Sequence, residues 1–491
     1  MLFVDILVDF GFFLLHSRTK IIFMSANGNV AAEDTLFGHP KGLYVLFFTE
    51  MWERFSYYGM RAILVLYLVT QTDTINPGLG WTDGEALALY GWYTMMVYVM
   101  SIPGGIIADK FIGQKKSVYV GGVLLLFGHS VLAVEQPWAF YTGLVLIVLG
   151  VGMLKPNIST MVGGLYKQGD IRRDKGFTLF YIGINVGAFL SSIVVGYVGE
   201  VHGWHYGFAL AGFGMALGLI QYAIGQKHLK NVGNFLGNSE NEEEKEAMKK
   251  PLTKIEKDRV SVLLISFLIV ILFWGAFEQA GGLMNIYTKT KTDRMLLGME
   301  VPATWFQSLN ALFIVIFGTL IAGFWAKRKL KGKEASSLFK MILGLIIMGA
   351  GFFFMTGAVA QYNTSGSSAM YWLILAYLFH TIGELCLSPV ALSFITKLAP
   401  LKYASIMMGV YFAMTGFGSK LAGLLGEWSE SLGEYTIFTG IAVFTIVIGG
   451  LVLLVLKKLK ALTHGAEDNE GTSHEEAEGF ELADSSDLLD R

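Results

Sequence analysis

Glu50-Met51-Trp52-Glu53-Arg54-Phe55-Ser56-Tyr57-Tyr58-Gly59-Met60-Arg61 sets four charges inside an apolar run that extends from near residue 43 to near residue 70. At about 100° per residue, Glu50, Arg54, Tyr57 and Arg61 fall within roughly 60° of one another on a helix, with Glu53 and Tyr58 flanking them. A charge at the bilayer centre costs about 2.5–3.5 kcal/mol on insertion scales, so these four must face a protein interior or a watery cavity and neutralise one another. The run reads as a first membrane span, and its polar stripe as the wall of a transport pathway.

Composition carries the same reading outward. With 53% hydrophobic residues, 15% charged residues and 59 glycines in 491, the chain is a polytopic membrane protein rather than a soluble one. A net charge of −2 with dispersed basic residues argues against a nucleic-acid partner, which would need a concentrated basic surface. The lone Cys386 sits in an apolar run, permits no intrachain disulfide and reads as inert core.

Further apolar runs of roughly 20 residues lie near 86–108, 117–134, 139–161, 177–199 and 206–226. After a polar gap, six more lie near 260–286, 302–326, 338–360, 370–396, 404–426 and 435–457. The fold class expected is therefore all-α, with 12 transmembrane helices in two six-helix bundles. The domain boundaries expected are a leader at 1–42, bundles at 43–226 and 260–458, a connector at 227–259 and a disordered acidic tail at 459–491. Within the leader, residues 1–23 lack a signal-peptide pattern and read either as an interfacial helix or as sequence upstream of a start at Met24.

Basic residues set the orientation. Lys110, Lys115, Lys116, Lys167, Arg172, Arg173 and Lys175 follow even-numbered spans, as do the runs AKRKLKGK and KKLK, while most alternate loops hold no Lys or Arg. The positive-inside rule then puts both termini in the cytoplasm, with YTKTKTDR after span 7 as the exception. The segment Gly104–Lys116 has a weaker echo in Gly323–Lys333, the pattern of internal two-fold repetition that places a substrate between halves near the midplane.

Three more charges lie deep in spans: Lys155 ahead of Pro156, Glu278 in span 7 and Glu384 in span 10. Lys155 either snorkels from the end of span 4 or faces the cavity and pairs with a span 1 carboxylate, Glu53 first. Glu50, Glu53, Glu278 and Glu384 outnumber Arg54, Arg61 and Lys155 by one. A low-dielectric cavity resists that unpaired negative charge, which makes one glutamate a proton carrier. Asn185, Asn310, Tyr57, Tyr58, Trp274 and Tyr411 complete the candidates, each open between packing and ligand contact. His380, one turn before Glu384, could tune it. No metal-ligand cluster or nucleophile–base motif occurs in a span, so neither enzyme chemistry nor a cofactor beyond the proton is expected.

Taken in order, EMWERFSYYGMR, the Gly104–Lys116 loop, Gly152–Asn157 (GMLKPN), Phe180–Gly187 (FYIGINVG), Phe273–Gln279 (FWGAFEQ), Phe306–Asn310 (FQSLN) and Gly383–Pro389 (GELCLSP) resemble the proton-dependent oligopeptide transporter family of the major facilitator superfamily. The resemblance implies a symporter that imports di- and tripeptides with protons by alternating access; an anion such as nitrate or another small metabolite is the alternative cargo. It implies Arg54 and Lys155 near the peptide carboxylate, Asn185, Asn310 and Glu384 around its amino terminus, and Tyr57, Tyr58 and Trp274 at side-chain pockets. It also implies proton coupling through Glu50, Glu53, Lys155 and Glu278, an outer gate of Arg61 and Glu278, and a monomer in the plasma (inner) membrane. Two departures stand out: the connector has no room for the two extra spans many bacterial members carry, and Tyr411 stands where members often have Trp.

Overall fold

The computed structural model describes residues 35–167, 170, 172–230, 232–235, 251–333, 335–400 and 404–466. The reading of residues 1–23, the middle of the connector (236–250) and the tail beyond 466 lie outside the described residues. The chain divides into two compact units, Met1–Lys41 and Gly42–Arg491. In the first, β1 (Thr35–Leu36) pairs antiparallel with β2 (His39–Pro40).

The second unit carries the helices. They are α1 (Lys41–Val69), α2 (Asp83–Ile112), α3 (Gln114–Leu132), α4 (Pro137–Gly164), α5 (Lys175–His202) and α6 (Trp204–His228) in the N-terminal half. The C-terminal half holds α7 (Lys254–Lys291), α8 (Ala303–Leu330), α9 (Ser337–Ser365), α10 (Met370–Leu398), α11 (Ala404–Leu432) and α12 (Glu434–Leu462). Each expected span coincides with one helix. Among the described residues nine of the twelve are long and apolar enough to cross a membrane on those criteria alone. The buried charges of α1 take it out of that set, although its apolar residues from Ile63 to Leu66 are fully buried.

Local sequence sets the helix ends and breaks. Thr82 with Glu85 and Thr253 with Glu256 form capping boxes that start α2 and α7, each satisfying two otherwise orphaned donors. Helix α7 tightens into a 3₁₀ turn at Glu278–Ala280 and re-forms at Leu283, so the Gly281-Gly282 pair does interrupt it. Pro156 and Pro389 lie inside α4 and α10, where each removes a backbone donor. The start of the connector folds back on α3, with Lys115 N–H donating to Gly233 O at 2.8 Å.

Helices of opposite halves meet along α2–α11 and α5–α8. At the first seam a Cβ on Gly423 would lie 2.7 Å from Gly91 Cα, so the two backbones touch only because neither residue has a side chain. Polar contacts between the halves gather at the end opposite the basic loops. Asn285 and Gln307 both donate to Ala62 O, at 2.8 and 3.4 Å, Trp305 Nε1 donates to Ile193 O at 3.0 Å, and Gly84 N–H donates to Glu430 at 2.8 Å. The end that carries these bonds is shut.

Candidate functional site: a charged cavity between the halves

A cavity of about 1120 Å³ lies between the halves. Its lining runs from Arg61, Glu278 and Tyr377, all buried, to Asp109, Ser159 and Thr160, all exposed at the end with the basic loops. It therefore opens at the basic end and closes at the other.

The stripe of α1 supplies one wall. Arg54 Nε stands 2.8 Å from Glu50 Oε1 and 2.7 Å from Glu53 Oε2, so two carboxylates share one guanidinium nitrogen. The i,i+4 spacing of Glu50 and Arg54 puts them on one face, as the sequence requires. Among the described residues Arg54 Nη2 has no partner and remains a donor, on a residue that lines the cavity. Glu50 and Tyr58 also line the cavity; Glu53 and Tyr57 do not, among the described residues, and sit behind them at 0% and 4% exposure. Tyr58 stands between two cations, with Arg54 Cζ 5.7 Å and Arg61 Cζ 4.9 Å from its ring centre.

Lys155 faces the cavity and not the headgroups. The expected contact with Glu53 is absent: among the described residues no carboxylate lies within 4.0 Å, and the ammonium sits 4.0 Å from the Tyr98 ring centre. The reason is local. Pro156 leaves Gly152 O without its usual donor, and a Cβ on Gly104 would lie 2.0 Å from that oxygen, so α2 and α4 cross in close contact and bring Tyr98 alongside Lys155. Lys155 stays within electrostatic reach of Glu53 and Glu50.

The shut end is held by Glu278, 1% exposed, whose Oε2 accepts from Arg61 Nη1 at 2.9 Å and from the Tyr90 hydroxyl at 3.0 Å. This is the pair expected as a gate, joined by a tyrosine the sequence reading passed over. Across the cavity, Asn310 Nδ2 donates to Glu384 Oε2 at 2.8 Å and to Thr381 Oγ1 at 3.1 Å. Asn185 donates to Tyr181 O at 2.9 Å in its own helix. Asn185, Asn310, Trp274, Glu384 and Tyr411 all line the cavity. His380 does too, packed 4.5 Å from the Phe352 ring centre, and among the described residues neither of its nitrogens has a partner.

Tyr90, Tyr98 and Thr381 were missed. Tyr90, Thr94 and Tyr98 recur every four residues along α2, a polar stripe like that of α1 but without charges to draw the eye. Lys420, a further charge inside span 11, sits 4.6 Å over the Trp92 ring and does not line the cavity among the described residues.

Twelve helices in two halves, nine of them long and apolar enough to cross a membrane among the described residues, enclose a charged cavity with one open end and define a membrane carrier of the alternating-access class. A sequence model of the POT family matches residues 115–248 and 235–434. An uncharacterized transporter, YclF, of Bacillus subtilis (strain 168) is 37% identical over 483 residues, covering 87% of this chain and 96% of its own. A di-/tripeptide transporter of Lactococcus lactis subsp. cremoris is 33% identical over 483 residues, covering 87% of this chain and 97% of its own. Among solved structures, a peptide transporter POT in complex with sulfate superposes with a TM-score of 0.81 at 34% identity, over 88% of this chain and 97% of that one. The chain belongs to the POT family and has a fold of the major facilitator type.

Proposed function

We propose that this chain is a proton-coupled symporter importing di- and tripeptides by alternating access. The observation that carries the reading is a cavity with opposite poles on opposite halves: Arg54 and Lys155 on α1 and α4, Glu384 and Asn310 on α10 and α8. A zwitterionic peptide has its charges separated in the same way, so one molecule spans both halves and draws them together. The family and the di-/tripeptide relative support that cargo.

In this reading Arg54 Nη2 and Lys155 receive the peptide carboxylate, while Glu384, held by Asn310, receives the ammonium with Asn185 nearby. Tyr58, Trp274 and Tyr411 contact side chains, with Tyr57 acting from behind Tyr58. Protonation of a glutamate in the Glu50–Glu53–Arg54 group frees charge on Arg54 and Lys155 for the carboxylate, so proton and peptide bias one equilibrium. Arg61 and Glu278 close the outer side, and a proton on Glu278 weakens that closure. Both termini face the cytoplasm of a cell whose plasma membrane holds the chain as a monomer, with bundles at 43–226 and 260–458. The open end of the cavity then faces inward.

The test is uptake of labelled dialanine into proteoliposomes under an inward proton gradient, with dipeptides, nitrate and free amino acids as competitors. Concentrative uptake blocked by dipeptides alone is the expected result. Block by nitrate with no effect of dipeptides would move the chain to the anion-carrying reading.

A further inference from the structure

A second closure lies beyond the Arg61–Glu278 pair, and nothing in the charged stripe pointed to it. Glu200 closes α5 within a π-helical turn, Val198–His202, and its side chain is 2% exposed. All three of its donors come from the opposite half. Glu200 Oε1 accepts from Thr304 N–H at 2.8 Å and from the Thr304 hydroxyl at 2.8 Å, and Oε2 accepts from Lys289 Nζ at 2.9 Å.

Thr304 lies in the first turn of α8, where backbone N–H groups have no partner within their own helix. Residue 302, at the N-cap, is a proline and supplies no side-chain acceptor. An acidic group at a helix N-terminus also meets the positive end of the helix dipole. Two further contacts fix the approach: a Cβ on Gly196 would lie 2.2 Å from Thr304 Oγ1, and Trp305 Nε1 donates to Ile193 O at 3.0 Å.

We infer that Glu200 is the capping residue of α8 in trans, a latch in which one half completes a helix of the other while the outer side is closed. Opening outward must pull α5 from α8, and α8 then loses its acceptor and Lys289 its counter-ion. Glu200 thereby sets the balance between inward-open and outward-open states, as a positioning residue that does not touch cargo. The inference rests on the alternating-access reading but not on the identity of the cargo.

The test is the distance between spin labels on two exposed outer positions, Asp73→Cys in the loop after α1 and Asn363→Cys in the last turn of α9, in a Cys386→Ala background of the full chain in lipid nanodiscs without substrate. Glu200→Ala should raise the ratio of long to short distances by about fivefold or more, since a charged acceptor and three bonds are lost. Glu200→Gln keeps an amide oxygen for Thr304 and loses only the counter-ion, so it should fall between wild type and Glu200→Ala. The exchange Glu200→Lys with Lys289→Glu should not restore the wild-type distribution, because a lysine cannot accept from Thr304. An unchanged distribution in Glu200→Ala would overturn the latch, and restoration by the exchange would overturn the cap. If Glu200→Ala does not accumulate, Gly196→Ala, which wedges α5 from Thr304, should give the same shift, and no shift there overturns the latch as well. Because no substrate is present, loss of peptide uptake in wild type would count against the cargo while leaving this result standing.

Discussion

Arg54 divides one nitrogen between two carboxylates, and that sharing is where coupling would begin. With Glu50 at 2.8 Å and Glu53 at 2.7 Å, the group carries one negative charge in excess while both acids are ionised. Lys155, on α4 of the same half, balances it without touching either acid. Adding a proton to one acid leaves the cluster with positive charge to spare, which a peptide carboxylate can take up. Glu50→Gln, Glu53→Gln and Lys155→Ala should each abolish gradient-driven dialanine uptake while the protein still accumulates in the membrane; full gradient-driven uptake in all three would refute the coupling assignment. The Arg61–Glu278 pair offers a second test. Removing one member of a buried pair leaves the other uncompensated, at a cost on the order of 3–5 kcal/mol, whereas replacing both with apolar groups is close to neutral. Arg61→Met should therefore lower the unfolding temperature in detergent more than Arg61→Met combined with Glu278→Leu, and equal losses would show that the pair is not coupled.

At the scale of elements, the spans were legible because lipid demands about 20 apolar residues per helix, and that length is written in the sequence. The break in α7 was legible too, from Gly281-Gly282. The partners of Lys155 were not, because its position over Tyr98 depends on how closely α2 and α4 cross, a consequence of Gly104 meeting Gly152 O that no single helix displays. The basic stretch YTKTKTDR at the end of α7, which breaks the charge pattern, finds its explanation here. Lys289 pairs with Glu200, Lys291 with Glu434 and Arg294 with Glu300, so each cation has its own carboxylate. The α2–α11 seam carries a prediction of its own. Gly423→Val puts side-chain atoms where Gly91 Cα stands, and overpacking of this kind costs about 1–3 kcal/mol. It should lower thermal stability and slow counterflow of dialanine; a variant with wild-type stability and exchange would mean that the seam can part freely.

For the whole molecule, two halves close at one end through many small polar contacts and open at the other onto a cavity with charges of both signs. Sequence reading found most of the charged residues that line the cavity, since a charge in a span is costly and therefore conspicuous. It missed Glu200, because an acid near a helix end costs little until the other half is seen to need it. The arrangement makes one claim above the rest, that peptide and proton move together through this cavity. It is tested most directly by reconstituting the chain in liposomes loaded with a pH-sensitive dye, with no imposed gradient and with membrane potential clamped, and adding labelled dialanine outside. The lumen should acidify as peptide enters, and both signals should vanish together in Lys155→Ala. Peptide entry at full rate with no change in internal pH would contradict that claim.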